Sequence, residues 1–334
     1  MPTRRRALFI LAALVGLALL SLVIALAAGS VPVSPADVYR ALSGEHGGLA
    51  VEVIYGLRLP RALAAFACGG LLALAGALMQ VLLRNPLADP YVLGISGGAA
   101  VGALAAMLAG LALAFINLSA FIGAFAAMLL VFGLAHGDNS WTRTRLLLTG
   151  VIVASGCSAV VALILSVAAE DRLRGMLFWL MGDLEHAISP WPAMVVLVLG
   201  LGATLPFARE LNLLSRGDAL AHGLGVSVNR VRHGVYFLAA MFTAVAVTTA
   251  GSIGFIGLVV PHLVRLGMLK LGWGNDQRLL LPASALAGGS LLVLADTLAR
   301  TVVAPQQLPV GVLTALLGVP VFLFLLGRQP GSRS

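Results

Sequence analysis

The sequence predicts an all-α, polytopic membrane protein with about ten transmembrane helices. Three observations carry that prediction. Of 334 residues, 60% are apolar and only 10% charged, whereas an ordinary soluble domain is roughly 25% charged. The roughly 200 apolar residues fall into stretches of about 20, the length that crosses a bilayer. The few basic residues gather at alternate connections between those stretches. This composition excludes a large soluble domain, and it excludes disorder, which needs few apolar residues and high charge.

The expected spans are 7–28, 61–83, 91–110, 113–134, 146–168, 191–208, 234–250, 254–270, 279–299 and 308–327. The first follows Arg4, Arg5 and Arg6. Its apolar run is longer than the 7–15 residues of a typical signal-peptide core, so it is expected to be retained. With the amino terminus inside, fifteen of the 21 basic residues fall on the inner side and six on the outer, as the positive-inside rule requires. Arg328, Arg333 and the acidic Asp138 are among the inner charges. Ten spans return the carboxyl terminus to the same, cytoplasmic side, and the whole of 1–334 is expected to form one transmembrane domain. The formal charge of +8 then reflects membrane topology, not nucleic-acid binding. The 39 glycines suit helices packed closely in lipid.

Three connections are long enough to hold structure. In the outer segment 29–60, Ser34 is placed to cap a short helix with Pro35 at its first position. The outer segment 169–190 has apolar residues at helical spacing and predicts an amphipathic surface helix. The inner segment 209–233 holds DALAHGL, bracketed by Gly217 and Gly225. A connection of this length in a compact protein is usually functional, and a docking site is expected there in preference to a solvated loop.

Four stretches carry candidate chemistry. RNPLADPYVLGISGGAAVGA, residues 84–103, breaks helix at Asn85-Pro86 and Asp89-Pro90, because a residue before proline is pushed out of the α region. It is either a break beside a translocation path or a surface turn, and composition does not choose. GSIGFIGLVVPHLVR, residues 251–265, has glycines at 251, 254 and 257 and places His262 and Arg265 on one face. A packed or docked polar cluster is favoured there over a metal or proton site. RLPR places Arg58 and Arg61 at the outer mouth of the second span, and Arg300 ends the ninth on the same side. These arginines are either snorkelling anchors or partners for acidic groups of an external protein. Cys68 and Cys157 lie in apolar runs and read as small buried hydrophobes.

Absences narrow the function further. The one lysine, Lys270, follows Leu269, so no phosphate-binding Gly-Lys-Ser/Thr loop exists in this chain. No acid occupies the middle of an expected span, where ion-coupled carriers usually keep relays. An intramembrane enzyme would need a nucleophile and base such as Ser155 or Ser158 with His262, and no spacing supports one. A secondary carrier or channel working without an ATPase stays as the alternative.

The ordered motifs RLPR, NPLADPYVLGISGGAAVGA, RLRGMLFWLMGDL, GDALAHGLGV, GSIGFIGLVVPHLVR and LPVGVLTALLGVPVFLFLL resemble the permease subunits of type II ABC importers, the FecCD family. The resemblance covers essentially the whole chain. It implies ten spans in inverted halves and a homodimer with the pathway on its axis. It further implies two cytoplasmic ATPase subunits, which use ATP and Mg, and a periplasmic binding protein. This chain is expected to bind no cofactor. By the same resemblance, Arg58, Arg61 and Arg300 match outer arginines that meet acidic residues of the binding protein. Asn85 and Leu87 match the cytoplasmic gate, and Thr142 and Thr144 lie in the region that matches a second gate. Gly217, Asp218, Leu224 and Gly225 match the segment that couples to the ATPase. The cargo implied is a bulky chelate (ferric siderophore, cobalamin or haem) carried across the bacterial inner membrane.

Overall fold

The computed structural model describes residues 4–29, 33–43, 48–135, 142–185, 187, 189–272, 274–304 and 306–327. Asp138, Arg328 and Arg333 therefore lie outside the described residues, as do parts of the 29–60 segment. The chain forms helices α1 (Arg4–Ala27), α2 (Pro35–Leu42), α3 (Leu49–Val53), α4 (Leu59–Leu83), α5 (Ile95–Leu108), α6 (Leu113–Ala135), α7 (Arg143–Val167) and α8 (Glu170–Met181). It continues through α9 (Trp191–Thr204), α10 (Ala208–Arg216), α11 (Asp218–Gly223), α12 (Val228–Ala250), α13 (Ile256–Lys270), α14 (Gln277–Thr301) and α15 (Val310–Gly327). Among the described residues there is no strand.

Among the described residues, seven helical stretches are long and apolar enough to cross a membrane, and two shorter apolar helices, within α5 and α15, accompany them. With α13 they account for all ten expected spans. Two boundaries move. The second span extends back through a π-helical turn at Ile54–Arg58 into α3, giving 35 helical residues from Leu49 to Leu83. The sixth runs on through Leu205–Phe207 into α10, so much of the expected inner connection is helical. Two local expectations for the outer connections match the structure. Ser34 caps α2 with Pro35 at its start, its hydroxyl accepting from Asp37 N–H while Asp37 reaches back to the Ser34 amide. Those bonds to Ser34 hold the half-buried Asp37 carboxyl below the usual carboxylate range. The amphipathic outer helix is α8, and it ends at Gly182.

The bundle is built around α4, which is buried along most of its length and packs against α14, α12, α13, α9 and α1. Its sequence explains why. It is rich in Ala and Gly, so neighbouring backbones approach closely. A Cβ on Gly69 would strike the Gly288 carbonyl of α14, and one on Gly76 would strike Gly257 of α13. The α5–α6 pair uses the same device at Gly98 and Gly123. By contrast α1 and α7 keep few buried residues and present Leu, Ile and Val outward, as helices facing lipid or a second subunit do.

Candidate functional site

Three groups of residues stand out, one at each end of the bundle and one between. At the end that charge placement assigns to the outside, Arg58, Arg61 and Arg300 come together from α4, its π turn and α14. Arg61 grips Asp296 with Nε at 3.0 Å from Oδ2 and Nη2 at 2.9 Å from Oδ1, and its Nη1 donates to Gln307 Oε1 at 2.7 Å. Arg300 Nε lies 3.2 Å from Asp296 Oδ2. Arg58 Nη1 donates to the carbonyls of Leu26 and Ala27 at 2.7 and 3.0 Å, and Arg300 Nη2 reaches the Ala25 carbonyl at 3.3 Å. The last carbonyls of α1, which carries no basic residue in its own last turn, are thus met by arginines from elsewhere.

The structure sets these arginines largely inside the protein: Arg58 is buried, and the side chains of Arg61 and Arg300 are 11% and 10% exposed. The physical reason is Asp296, near the outer end of α14, whose side chain is 2% exposed. A buried carboxylate requires charge-assisted partners, and Arg61 and Arg300 supply them. The absence of acids from mid-span positions passes over this residue, because it lies so close to a helix end.

Between the ends, the two helix breaks meet. Tyr91 in the 3-10 turn Pro90–Leu93 donates its hydroxyl to the Ile253 carbonyl at 2.9 Å and accepts from the Ile253 N–H at 3.0 Å. Ser96 and Ser252 hydroxyls lie 2.8 Å apart. α4 serves as a ruler for depth. Gly76, against Gly257, is fifteen residues beyond Arg61 and eight before Arg84, or about 22 Å from one and about 12 Å from the other at 1.5 Å per residue. The segment after Arg84 is exposed at Asn85 and Pro86 and then climbs back into the bundle before α5 begins, with Ala88 buried and Pro90 against Gly257. Irregular backbone at such depth is tolerated only inside protein or along a cavity. The non-glycine residues with positive φ among the described residues are Arg84 (φ 48) and Phe255 (φ 69). They bound these two breaks, where local strain concentrates.

At the inner end, Asp218 opens α11 and receives three arginines. Arg143 Nη2 donates to its Oδ2 at 2.8 Å, while Arg84 and Arg232 make short bonds to Oδ1 and Oδ2. Arg84 Nε also donates to the Leu214 carbonyl of α10 at 3.0 Å. Gly217, between α10 and α11, has φ 141, a conformation that favours glycine; Gly225 ends the α11 turn at φ 82. Asn85 is exposed, its Oδ1 accepting from Leu87 N–H at 2.9 Å, and Leu87 is half-buried. Thr142 caps α7 by accepting from Arg145 N–H, and Thr144 is exposed beside it. The structure thus brings together the Asn85 and Thr142 segments, since the flanking Arg84 and Arg143 share one carboxylate. Leu224, with Leu220, stands 55% and 47% exposed on α11. Beside them lies a groove of about 640 Å³ lined by Asp218, His222, Ser227 and Arg230 among others.

Sequence reasoning missed Asp296, Tyr91 and the three-arginine partnership of Asp218. The first signal was available: Asp296 stands four residues before Arg300, a spacing that pairs charges on a helix. Tyr91 and two of the three arginines, Arg84 and Arg143, depend on contacts across more than seventy residues, while Arg232 is 14 residues from Asp218. Ser155 and Ser158 donate to carbonyls of their own helix, Val151 and Ala154. Arg265 donates to Asn275 Oδ1. No cluster of three potential metal ligands occurs among the described residues.

Comparison with known proteins follows the same lines. Residues 17–328 match the model of the FecCD transport family. The hemin transport system permease protein HmuU of Yersinia pestis is 44% identical over 292 residues, 83% of this chain and 84% of that protein. The cobalamin import system permease protein BtuC of Halobacterium salinarum is 43% identical over 281 residues, 82% of this chain and 73% of its own. A solved structure assigned to a metal-chelate type ABC transporter, in an inward-facing conformation, superposes with a TM-score of 0.81 at 32% identity. It covers 97% of this chain and 100% of that one.

Proposed function

The chain belongs to the FecCD transport family, and from that membership we propose that it is the pore-forming permease of an importer for a bulky metal chelate. Permease subunits of ABC importers are not themselves the ATPase, and this chain has no phosphate-binding lysine loop. It works with an ATPase and a substrate-binding protein. Its ten-helix body, with both termini on the cytoplasmic side, is proposed to pair with a second copy in the lipid bilayer. It takes no cofactor of its own, and ATP and Mg are used by the partner.

The single observation that carries the reading is α11. It is a short exposed helix at the inner end, presenting Leu220 and Leu224, and its first residue is tied to the segments that hold Asn85 and Thr142. An ATPase that changes shape on binding ATP has, in α11, something to push. The chelate must interact differently with the two permease states, or with the loaded binding protein, for net import to follow. At the outer end, Arg58, Arg61 and Arg300 are proposed as the docking cluster. A partner carboxylate would meet the exposed edges of Arg61 and Arg300. The cargo class is supported by the hemin and cobalamin relatives and the metal-chelate neighbour.

The test is co-isolation of the tagged protein from membranes, followed by reconstitution in vesicles with radiolabelled haem, cobalamin or a ferric siderophore. The expected result is an ATPase in the purified complex, hydrolysis stimulated by the loaded binding protein, and uptake of one of these chelates. Uptake driven by an ion gradient with no ATPase present would establish a secondary carrier instead.

A further inference from the structure

We propose that Arg84, Arg143 and Arg232 are positioning residues that fasten α11, through Asp218, to both gate segments at once, so that one displacement of α11 moves the two gates together. The inference rests on the import reading above and names the part of the chain that transmits the stroke.

Four distant pieces of chain converge on one carboxylate: the end of α4 at Arg84, the start of α7 at Arg143, the start of α11 at Asp218 and the first turns of α12 at Arg232. Energy alone does not account for the arrangement. The Asp218 side chain is 38% exposed, and ion pairs this wet add little stability. One carboxylate also neutralises only one of three guanidiniums. The arrangement does supply geometry. A carboxylate has about four lone-pair sites, and here both oxygens are used, Oδ1 by Arg84 and Oδ2 by Arg143 and Arg232. Guanidinium–carboxylate bonds are directional, so the carboxylate cannot shift without carrying its partners.

The placement of each partner gives the clasp its direction. Arg84 is the residue before Asn85, and it also holds the Leu214 carbonyl on the far side of the Gly217 joint. Arg143 lies between Thr142 and Thr144. Arg84 itself is held at φ 48, a backbone conformation that costs energy for a non-glycine residue; the turn that starts the climb into the bundle is set where the clasp attaches. Arg232 belongs to α12, the helix that follows α11, and ties the same carboxylate to that helix.

The experiment uses the complete transporter with its co-isolating ATPase, in a Cys68→Ser, Cys157→Ser background. Spin labels are placed singly at Pro86→Cys, Thr144→Cys and His222→Cys, all exposed sites, and read with and without MgATP and vanadate. With Asp218 intact, all three labels are expected to respond to nucleotide. In Asp218→Asn the label at 222 still responds and ATP hydrolysis persists, while the responses at 86 and 144 vanish and uptake per ATP falls by about tenfold, the scale of one charge-assisted bond. Asp218→Glu restores both. Arg84→Gln is expected to silence 86 alone and Arg143→Gln to silence 144 alone; these two variants decide the matter if Asp218→Asn fails to insert. Gate labels that respond normally in all three variants overturn the clasp. Labels that never respond, even with Asp218 intact, overturn the import reading and the clasp with it.

Discussion

Each end of the bundle sets arginines around one aspartate, and the two ends use them differently. At the outer end Asp296 is sealed from water, and one of its arginines, Arg300, also caps α1 together with Arg58. At the inner end Asp218 is more than a third exposed and its arginines come from segments flanking irregular backbone. Burial converts the same chemistry into opposite properties. Removing one member of a buried pair strands charge in a low dielectric, whereas water compensates at an exposed one. The outer cluster is therefore a pin and the inner cluster a joint. The import function proposed above calls for both: an inner end that can flex and outer helices held in register.

That contrast can be broken by mutation. The largest loss of stability is expected from Asp296→Asn, which leaves Arg61 and Arg300 without their shared counter-charge. Thermal unfolding in detergent should show about 3–5 kcal/mol of destabilisation. A wild-type midpoint would mean that the outer cluster is not a pin. Tyr91→Phe should come next. It strands the N–H and carbonyl of Ile253 between the two breaks, at about 1–3 kcal/mol, and faster hydrogen exchange at 251–255 is the readout. Ser34→Ala removes the α2 cap and should cost about 1 kcal/mol, confined to 35–42 in the same exchange experiment. Asp218→Asn should be the mildest, at most about 1 kcal/mol in the unfolding assay, while uptake per ATP collapses. If Asp218→Asn proves as destabilising as Asp296→Asn, the two ends are not functionally distinct.

Much of this was legible in advance. Helix positions follow from apolar runs, and the Ser34 cap and the Gly217–Gly225 bracket are local signals that need no neighbours to be read. Depth was not legible. Residues 84–94 look like an inner connection in sequence, yet Tyr91 reaches Ile253, which sequence assigns to the outer side. Span counting treats every connection as a surface loop, and a re-entrant segment carries no compositional mark beyond its prolines and glycines. Exposure was not legible either. Arg58 and Arg61 stand at a span end, where snorkelling is the common fate. Only the packing of α1 and α14 shows that Arg58 and Arg61 also bond within the chain.

By itself, then, the sequence determined the class of molecule, the order of its apolar helices and the family motifs. These rest on hydropathy, charge asymmetry and local turn chemistry, all of which act within about 20 residues. The tertiary structure decided which charges meet. Arg61 finds Asp296, and Arg84 and Arg143 find Asp218, across separations of 235, 134 and 75 residues. Such pairings depend on how helices cross, and the crossings depend on glycine contacts such as Gly76 on Gly257. No stretch of the chain specifies a crossing alone, because it exists only when two surfaces fit.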